Sequence, residues 1–192
     1  MSLAAGALES TLVLRAQAQK DDRAFSRLIS MHQSKVRGFL LRLTRNGANA
    51  DDLAQEVFLI AYRKLGTYAG KGEFGGWLCS IAYRCFLQHY RKQKREQEIH
   101  QQLVGVDDDI DGQVDTRYFE NISTAQIALE KAIRRLNPDQ AAIITLCESY
   151  GHSHSEAAAI LNMPLGTVKS HANRGKQKLR ELLTDLREEF QS

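Results

Sequence analysis

Apolar residues recur every three to four positions along most of this chain, the spacing of helices that each bury one face. The pattern predicts a short first helix over Leu8 to Gln19 and a break at Lys20-Asp21-Asp22. A long amphipathic helix follows from Asp22 to Leu43, with Phe25, Leu28, Ile29, Val36, Phe39, Leu40 and Leu43 on its apolar side. Asn46-Gly47-Ala48-Asn49 reads as a turn, and Asp51 or Asp52 opens the next helix, which runs to about Leu65. Gly66 to Gly76, with glycines at 66, 70, 72, 75 and 76, reads as a loop, and Trp77 to about Arg95 as a helix. From Glu96 to Asn121 large apolar residues are few and no period is visible, so this segment reads as a flexible linker.

Periodicity resumes with helices over Thr124 to Leu136 and Pro138 to Ser149, the second having proline at its first position after Asn137. Ser155 to Leu161 follows, stopped by Asn162-Met163-Pro164 because a residue before proline is pushed out of helical geometry. A last helix opens at Pro164, Gly166 and Thr167, with Thr167 as its N-cap. No alternating pattern or internal repeat stands out. The expectation is an all-α chain of two small helical domains, 8–95 and 122–187. The acidic linker 96–121 joins them, and the second domain is a helix-turn-helix.

The last helix carries the most chemistry. Val168, Ala172, Gly175 and Leu179 share one stripe, and Lys169, Ser170, Asn173, Arg174 and Gln177 lie opposite. A helix fits the major groove, where Arg and Lys donate to guanine and Asn or Gln pairs with adenine. The competing reading is an ordinary solvated face. On the helix over 51–65, Leu53, Val57, Ile60, Ala61 and Leu65 lie on one side, while Asp52, Gln55, Glu56, Leu59, Tyr62 and Arg63 lie on the other. Apolar anchors inside a polar rim suit a protein interface, unless Leu59 and Tyr62 meet the neighbouring long helix.

Between Gly66 and Arg95, six of the chain's fourteen aromatic residues are interleaved with Lys71, Arg84, His89, Arg91, Lys92, Lys94 and Arg95. Aromatic faces stack on unpaired bases while cations follow phosphates. Trp77, Ile81 and Cys85 share a face and read as core.

Charge sharpens this picture. The 192 residues sum to a net charge of +3, but the segment 96–121 holds eight acids against Arg117, a net of −7, leaving +10 elsewhere. Two basic bodies flanking an acidic strap suggest a polyanionic partner. No apolar run approaches the length of a membrane span, and MSLAAGALES lacks the basic start and apolar core of a signal peptide, so a cytoplasmic chain without membrane insertion is expected. Cys79, Cys85 and Cys147 form no CxxC pair and read as buried thiols. No HExxH, no Ser-His-Asp grouping and no glycine-rich loop after a strand points to an enzyme.

Taken together, ADDLAQEVFLIAYRKL (50–65), FGGWLCSIAYR (74–84) and GTVKSHANRGKQKLRELL (166–183) resemble the extracytoplasmic-function group of bacterial RNA polymerase sigma factors. The resemblance covers about residues 8 to 187, the linker matching only in length and acidity. It implies that Asp52, Gln55, Glu56, Leu59 and Tyr62 dock on the clamp helices of the largest subunit of core RNA polymerase. It implies that Tyr68, Lys71 and Phe74, with the start of the next helix, capture a base flipped from the −10 promoter element. Arg84, Arg91, Lys92, Lys94 and Arg95 would then hold phosphates and the separating strand. The last helix would read the −35 element, with Thr167 at its start, Lys169, Ser170, Asn173 and Arg174 toward bases, and His171, Lys176 and Lys178 toward phosphates. The linker would thread the RNA-exit path. Promoter DNA, core polymerase and an anti-sigma factor are the implied partners, with no cofactor and no metal.

The chain departs from the family pattern at Arg84, where asparagine is frequent, and at His152 and His154, where a large apolar residue and an aromatic are usual. Those histidines with Cys147 allow a rival reading, a stand-alone helix-turn-helix regulator sensing zinc, nickel or copper.

Overall fold

The computed structural model describes residues 2–70, 72–104 and 124–189, and among these every regular element is helical. In chain order these are α1 (Ser2–Gln19), α2 (Asp22–Thr44), α3 (Gly47–Lys64), a 3₁₀ turn (Leu65–Thr67), α4 (Phe74–Val104), α5 (Thr124–Arg134), α6 (Pro138–Ile144) with a π-helical turn (Thr145–Ser149), α7 (His154–Leu161) and α8 (Leu165–Glu189).

Local chemistry sets most boundaries. Asp21 caps α2: its Oδ1 accepts from the amides of Arg23 and Ala24, each at 3.0 Å, and its Oδ2 accepts from Arg15 at 2.6 Å. The Ala24 amide, then Arg15, holds the Asp21 carboxyl below its usual range. α6 and α7 each open with a reciprocal capping box, Asn137 with Gln140 and Ser153 with Glu156. α7 ends at Asn162 in the left-handed region, φ 53°, which asparagine tolerates better than most residues.

Several boundaries differ from those the sequence predicts, among them the start of α1, at Ser2 rather than Leu8. The stretch read as a turn at 46–49 is already helix: Asn46 is the N-cap, its Oδ1 accepting from the Asn49 amide at 3.0 Å, so Asp51 and Asp52 sit in the second turn. α4 starts at Phe74 and takes in Gly75 and Gly76, then runs on through the first residues of the expected linker to Val104. No glycine or proline interrupts 77–104, and Lys92–Glu96 and Lys94–Glu98 pair one turn apart, which favours helix by a few tenths of a kcal/mol each. The rest of the expected linker lies outside the described residues. α8 begins at Leu165, with the Val168 amide donating to the Pro164 carbonyl at 3.1 Å, so Thr167 lies inside the first turn and is not the N-cap.

α2 runs through the first half and packs against α1, α3 and α4. Leu28, Val36, Phe39 and Leu40 of α2, Val57 of α3 and Leu78 of α4 are fully buried there. Full burial of such side chains contributes about 1.5–3 kcal/mol each. In the second half, α8 lies across α5, α6 and α7, with Val168, Ala172, Gly175 and Leu179 all buried as the stripe predicts. Gly175 is the point of closest approach. A Cβ there would stand 3.2 Å from Ile144 Cγ1 and 3.5 Å from Gln140 Cβ.

The halves pack on one another, α2 against α5 and α6, and α4 against α7. Apolar contacts and polar bonds both cross the junction: the Phe39 and Tyr150 rings lie 6.5 Å apart, and Ile160 reaches the start of α4. Arg42 grips Glu130 with Nε at 3.2 and 3.1 Å from the two carboxylate oxygens, and donates from Nη1 to Ser149 Oγ at 2.9 Å. Arg45 donates to the Leu136 carbonyl at 2.7 Å, Tyr83 Oη to Asp139 Oδ1 at 2.6 Å, and Tyr150 Oη to the Lys35 carbonyl at 2.7 Å.

Replacing Gly175 with leucine should cost about 1–3 kcal/mol of stability by forcing α8 off α6. Urea unfolding followed by circular dichroism should show a lower midpoint at an unchanged slope.

Candidate nucleic-acid and partner interface

α3 presents Asp52, Gln55, Glu56, Leu59, Tyr62 and Arg63 to solvent on one face while Leu53, Val57 and Ala61 are buried on the other. Leu59 is 59% exposed and makes an apolar knob between carboxylates and amides. Tyr62, 49% exposed, satisfies both readings of its position. Its hydroxyl donates to Asp22 Oδ1 at 2.7 Å and its ring meets Phe25 edge-on with centroids 5.1 Å apart, so α2 fixes its orientation while the other ring face stays open. The Asp22 carboxylate beside it raises the phenol's pKa.

Ahead of α4, α1 pins the incoming loop. Gln17 Nε2 donates to the carbonyls of Leu65 and Tyr68, both at 2.8 Å. Tyr68 is half-buried, its hydroxyl donating to the Gly72 carbonyl at 2.8 Å and its ring packed 5.2 Å from Phe74 and 5.3 Å from Trp77. Phe74 is only 1% exposed. It is a core residue wedged against His32 and Trp77, so its expected place on the base-contacting surface is corrected. Tyr68 and Trp77 are the aromatic rings partly open at this point. Lys71 lies outside the described residues.

Beyond Trp77, Arg84, Gln88, Arg91 and Arg95 fall on one row at helical spacing, and all four are exposed. The row spans roughly 16 Å at 1.5 Å per residue. Lys92 and Lys94 are exposed beside it, each close to a glutamate one turn on. Gln88 is absent from the residues singled out in the sequence, although its position one turn after Arg84 marks it.

α7, its turn and α8 form the expected helix-turn-helix. Lys169, Ser170, Asn173, Arg174 and Lys178 are exposed along α8. Thr167 and His171 are half-buried, and His171 Nδ1 has no hydrogen-bond partner among the described residues. Lys176 is paired within its own half, Nζ 2.7 Å from Glu148 Oε1, so a phosphate there would compete with a carboxylate.

Cys147, His152 and His154 do not converge. Among the described residues no three His, Cys, Asp or Glu side chains are grouped to hold a metal ion. His152 is buried at the junction, while Cys147 and His154 are half-buried. Burial pushes the thiols up, Cys79 to about 12 and Cys85 to about 11.

This arrangement has counterparts among known proteins. The family model for Sigma-70 region 2 matches residues 28–96, and that for Sigma-70, region 4 matches residues 126–179. RNA polymerase sigma factor CarQ of Myxococcus xanthus is 32% identical over 85% of this chain and 91% of its own length. The chain belongs to the extracytoplasmic-function sigma factors. ECF RNA polymerase sigma factor BldN of Streptomyces coelicolor is 33% identical over 91% of this chain, which spans 65% of that protein's length. The solved structure of the sigma factor RpoE from Bartonella quintana, in complex with the anti-sigma factor NepR, superposes with a TM-score of 0.66 at 26% identity, covering 83% of this chain and 96% of that one. Region 2 thus takes in most of α2, α3, the loop and most of α4, and region 4 takes in α5 to the middle of α8.

Among the described residues of this sigma factor, no helix is long and apolar enough to cross a membrane.

Two buried histidines, His152 at the junction and His32 among α1, α2 and α4, make the fold sensitive to acid. Burial, with Lys35 of α2 nearby, lowers the pKa of His152 against the weaker opposing pull of Glu73 and Glu156. Burial also lowers that of His32, with Glu9 of α1 and Glu73 opposing and Lys35 adding to it. A histidine whose pKa falls on folding binds fewer protons folded than unfolded, so stability is full above the ordinary value of about 6.5 and declines as pH drops below it. The thermal midpoint should therefore fall between pH 7 and pH 5, and His152→Gln should flatten part of that decline.

Proposed function

We propose that this sigma factor brings core RNA polymerase to promoters by docking through α3 and reading two DNA elements, one with each half. The observation that carries the reading is the order of the two sigma regions in one chain, each offering an exposed face of matching chemistry. Asp52, Gln55, Glu56, Leu59 and Tyr62 form the polymerase-docking face. Leu59 and Tyr62 supply apolar contact and the acids and amide supply orientation. Lys169, Ser170, Asn173, Arg174 and Lys178, with Thr167 and His171 beside them, face the −35 element, with phosphate contacts fixing position and base-edge contacts giving specificity. Lys176 joins them only by leaving Glu148.

At the −10 element, Tyr68 and the start of α4 receive an unstacked base, and Arg84, Arg91, Lys92, Lys94 and Arg95 follow the strand's phosphates. Gln88 joins that row as a neutral donor and acceptor. Lys71 belongs with this group by its place in the loop sequence. Unstacking a base costs a few kcal/mol, and the flipped base in its pocket offsets that cost only for a matching sequence. Region 2 would in this way couple recognition to duplex opening. The polymerase performs the bond chemistry, and the sigma factor positions DNA for it.

An anti-sigma factor is the proposed regulator. The similar structure from Bartonella quintana holds one, and the faces on α3, α4 and α8 are open surfaces that such a partner could cover. The cytoplasm, where polymerase and promoter DNA meet, is the proposed site of action.

Run-off transcription with purified core polymerase on a library of promoter fragments tests the reading. The expected outcome is a subset of templates transcribed only when the chain is present. Glu56→Lys should weaken polymerase binding while leaving helix content unchanged, and equal binding by parent and variant in a pull-down would remove α3 from the docking face. Arg174→Ala should relax base preference at one −35 position by about 1–3 kcal/mol. Selection from a randomised −35 library measures that change.

A further inference from the structure

The loop that leads into α4 takes its shape from a helix far from it in sequence. Tyr68 leaves the 3₁₀ turn extended, at φ −72° and ψ 109°. Gly70 and Gly72 then adopt positive φ angles, 69° and 80°, which glycine reaches freely. A stretch of this kind has many backbone states open to it, so a binding edge built on it needs a fixed point. Gln17 of α1 supplies one. Its amide nitrogen has two hydrogens to donate and two acceptors to meet, the carbonyls of Leu65 and Tyr68, both at 2.8 Å. The Leu65 carbonyl also accepts from the Tyr68 amide at 3.1 Å. The turn therefore closes along the chain by its own backbone and is tied from the side by α1.

A second brace runs beneath the ring. Glu9, earlier on α1, places Oε2 2.9 Å from His32 Nε2. His32 meets Phe74 edge-on at 5.4 Å, and Phe74 backs both Tyr68, at 5.2 Å, and Trp77, at 5.3 Å. Tyr68 is thus held at its carbonyl by Gln17, at its hydroxyl by the Gly72 carbonyl and along its ring by Phe74 and Trp77. Both braces start on α1, which precedes the residues matched by the region 2 family model.

We propose that Gln17 is a positioning residue for base capture: by tying the Leu65 and Tyr68 carbonyls to α1 it fixes where Tyr68 presents its open ring, and so sharpens the choice of base at the −10 element. The proposal deepens the reading given above and rests on its assignment of Tyr68 and the start of α4 to the unstacked base. With both hydrogens given to the loop, Gln17 acts through Tyr68 and not on the base. The physical reason is preorganisation. A site held still rejects an ill-fitting base because it does not shift to accommodate it, whereas a loosened site takes right and wrong bases more nearly alike.

Gln17→Met tests this, because methionine is of similar length and volume and has no hydrogen to donate. Holoenzyme assembled from core polymerase and a saturating amount of the full chain, parent or variant, transcribes a barcoded promoter library randomised at both elements. Discrimination at one or two adjacent −10 positions should fall by about ten-fold, while −35 preferences and polymerase pull-down match the parent. Hydrogen exchange of the full chain, read by mass spectrometry, should quicken over residues 65–70 and stay unchanged from α5 to α8. A merely structural loss lowers yield on all templates alike and leaves the shape of the profile intact, and that outcome overturns the proposal. An unchanged profile in a folded variant overturns it too, as does a flattened profile with unchanged exchange. Circular dichroism reports folding. If Gln17→Met folds poorly, Gln17→Glu takes its place, equal in size, with carboxylate oxygens facing the two carbonyls. Tyr68→Ala separates the two levels of the argument. If the −10 preferences survive Tyr68→Ala, the base-capture reading fails. If they change with Tyr68→Ala and not with Gln17→Met, that reading stands and the role of Gln17 fails.

Discussion

α2 has two neighbours to satisfy at once, and the rest of the molecule is arranged around that constraint. Its apolar face disappears among α1, α3 and α4, which fixes region 2 as a packed body. Its remaining edge carries Lys35, Arg42 and Arg45, and all three engage the second half, through the Tyr150 ring and hydroxyl, Glu130, and the end of α5. The end of α2 makes the overlap plain. Arg45 sits in the left-handed region at φ 58°, closing the helix with its own amide on the Leu41 carbonyl, while its guanidinium takes up the Leu136 carbonyl after α5. A single residue thus terminates one helix and serves a backbone acceptor beyond another.

The two kinds of contact differ in physical character, and the difference matters for function. Apolar burial inside each half is non-directional and costly to undo. The junction adds directed polar bonds to apolar contact, with the Tyr150 ring beside Phe39 and Ile160 over the start of α4. The bidentate Arg42–Glu130 pair is partly buried, and such pairs set relative position more reliably than they add stability. The junction also explains two polar residues in otherwise apolar surroundings. Tyr83 is buried to deliver its hydroxyl to Asp139, which together with burial raises the phenol's pKa. Gly151, at φ 77°, lets the chain turn out of the π-helical segment and bring His152 back under α7, its amide on the Leu146 carbonyl at 3.0 Å.

Much of the fold was legible because each helix announces its own face. The α8 stripe and its opposite polar row, the proline start of α6 and the exposed set on α3 follow from spacing alone. What spacing concealed was decided by contacts distant in sequence. Gly75 and Gly76 read as loop because glycine is a poor helix former, yet both sit in α4, where a Cβ would press on His32 and Lys35 at 3.3 Å and on Ile160 at 3.2 Å. Phe74 looked like part of an aromatic and basic surface, but its neighbours Tyr68, Trp77 and His32 enclose it. Lys176 looked free for phosphate, and its partner Glu148 comes from the π-helical turn after α6. His152 departs from an apolar pattern, and the residues that give it meaning, Lys35 and Glu73, lie in the other half of the chain.

The length of α4 has one more consequence. Its 31 residues make a rod of about 46 Å, held by α7 at its beginning and leading at its far end into the segment that connects the halves. Its first half, through Phe86, is locked among α2 and α3, while most residues from 87 to 99 are exposed, so the connecting chain departs from a point about 27 Å beyond that core.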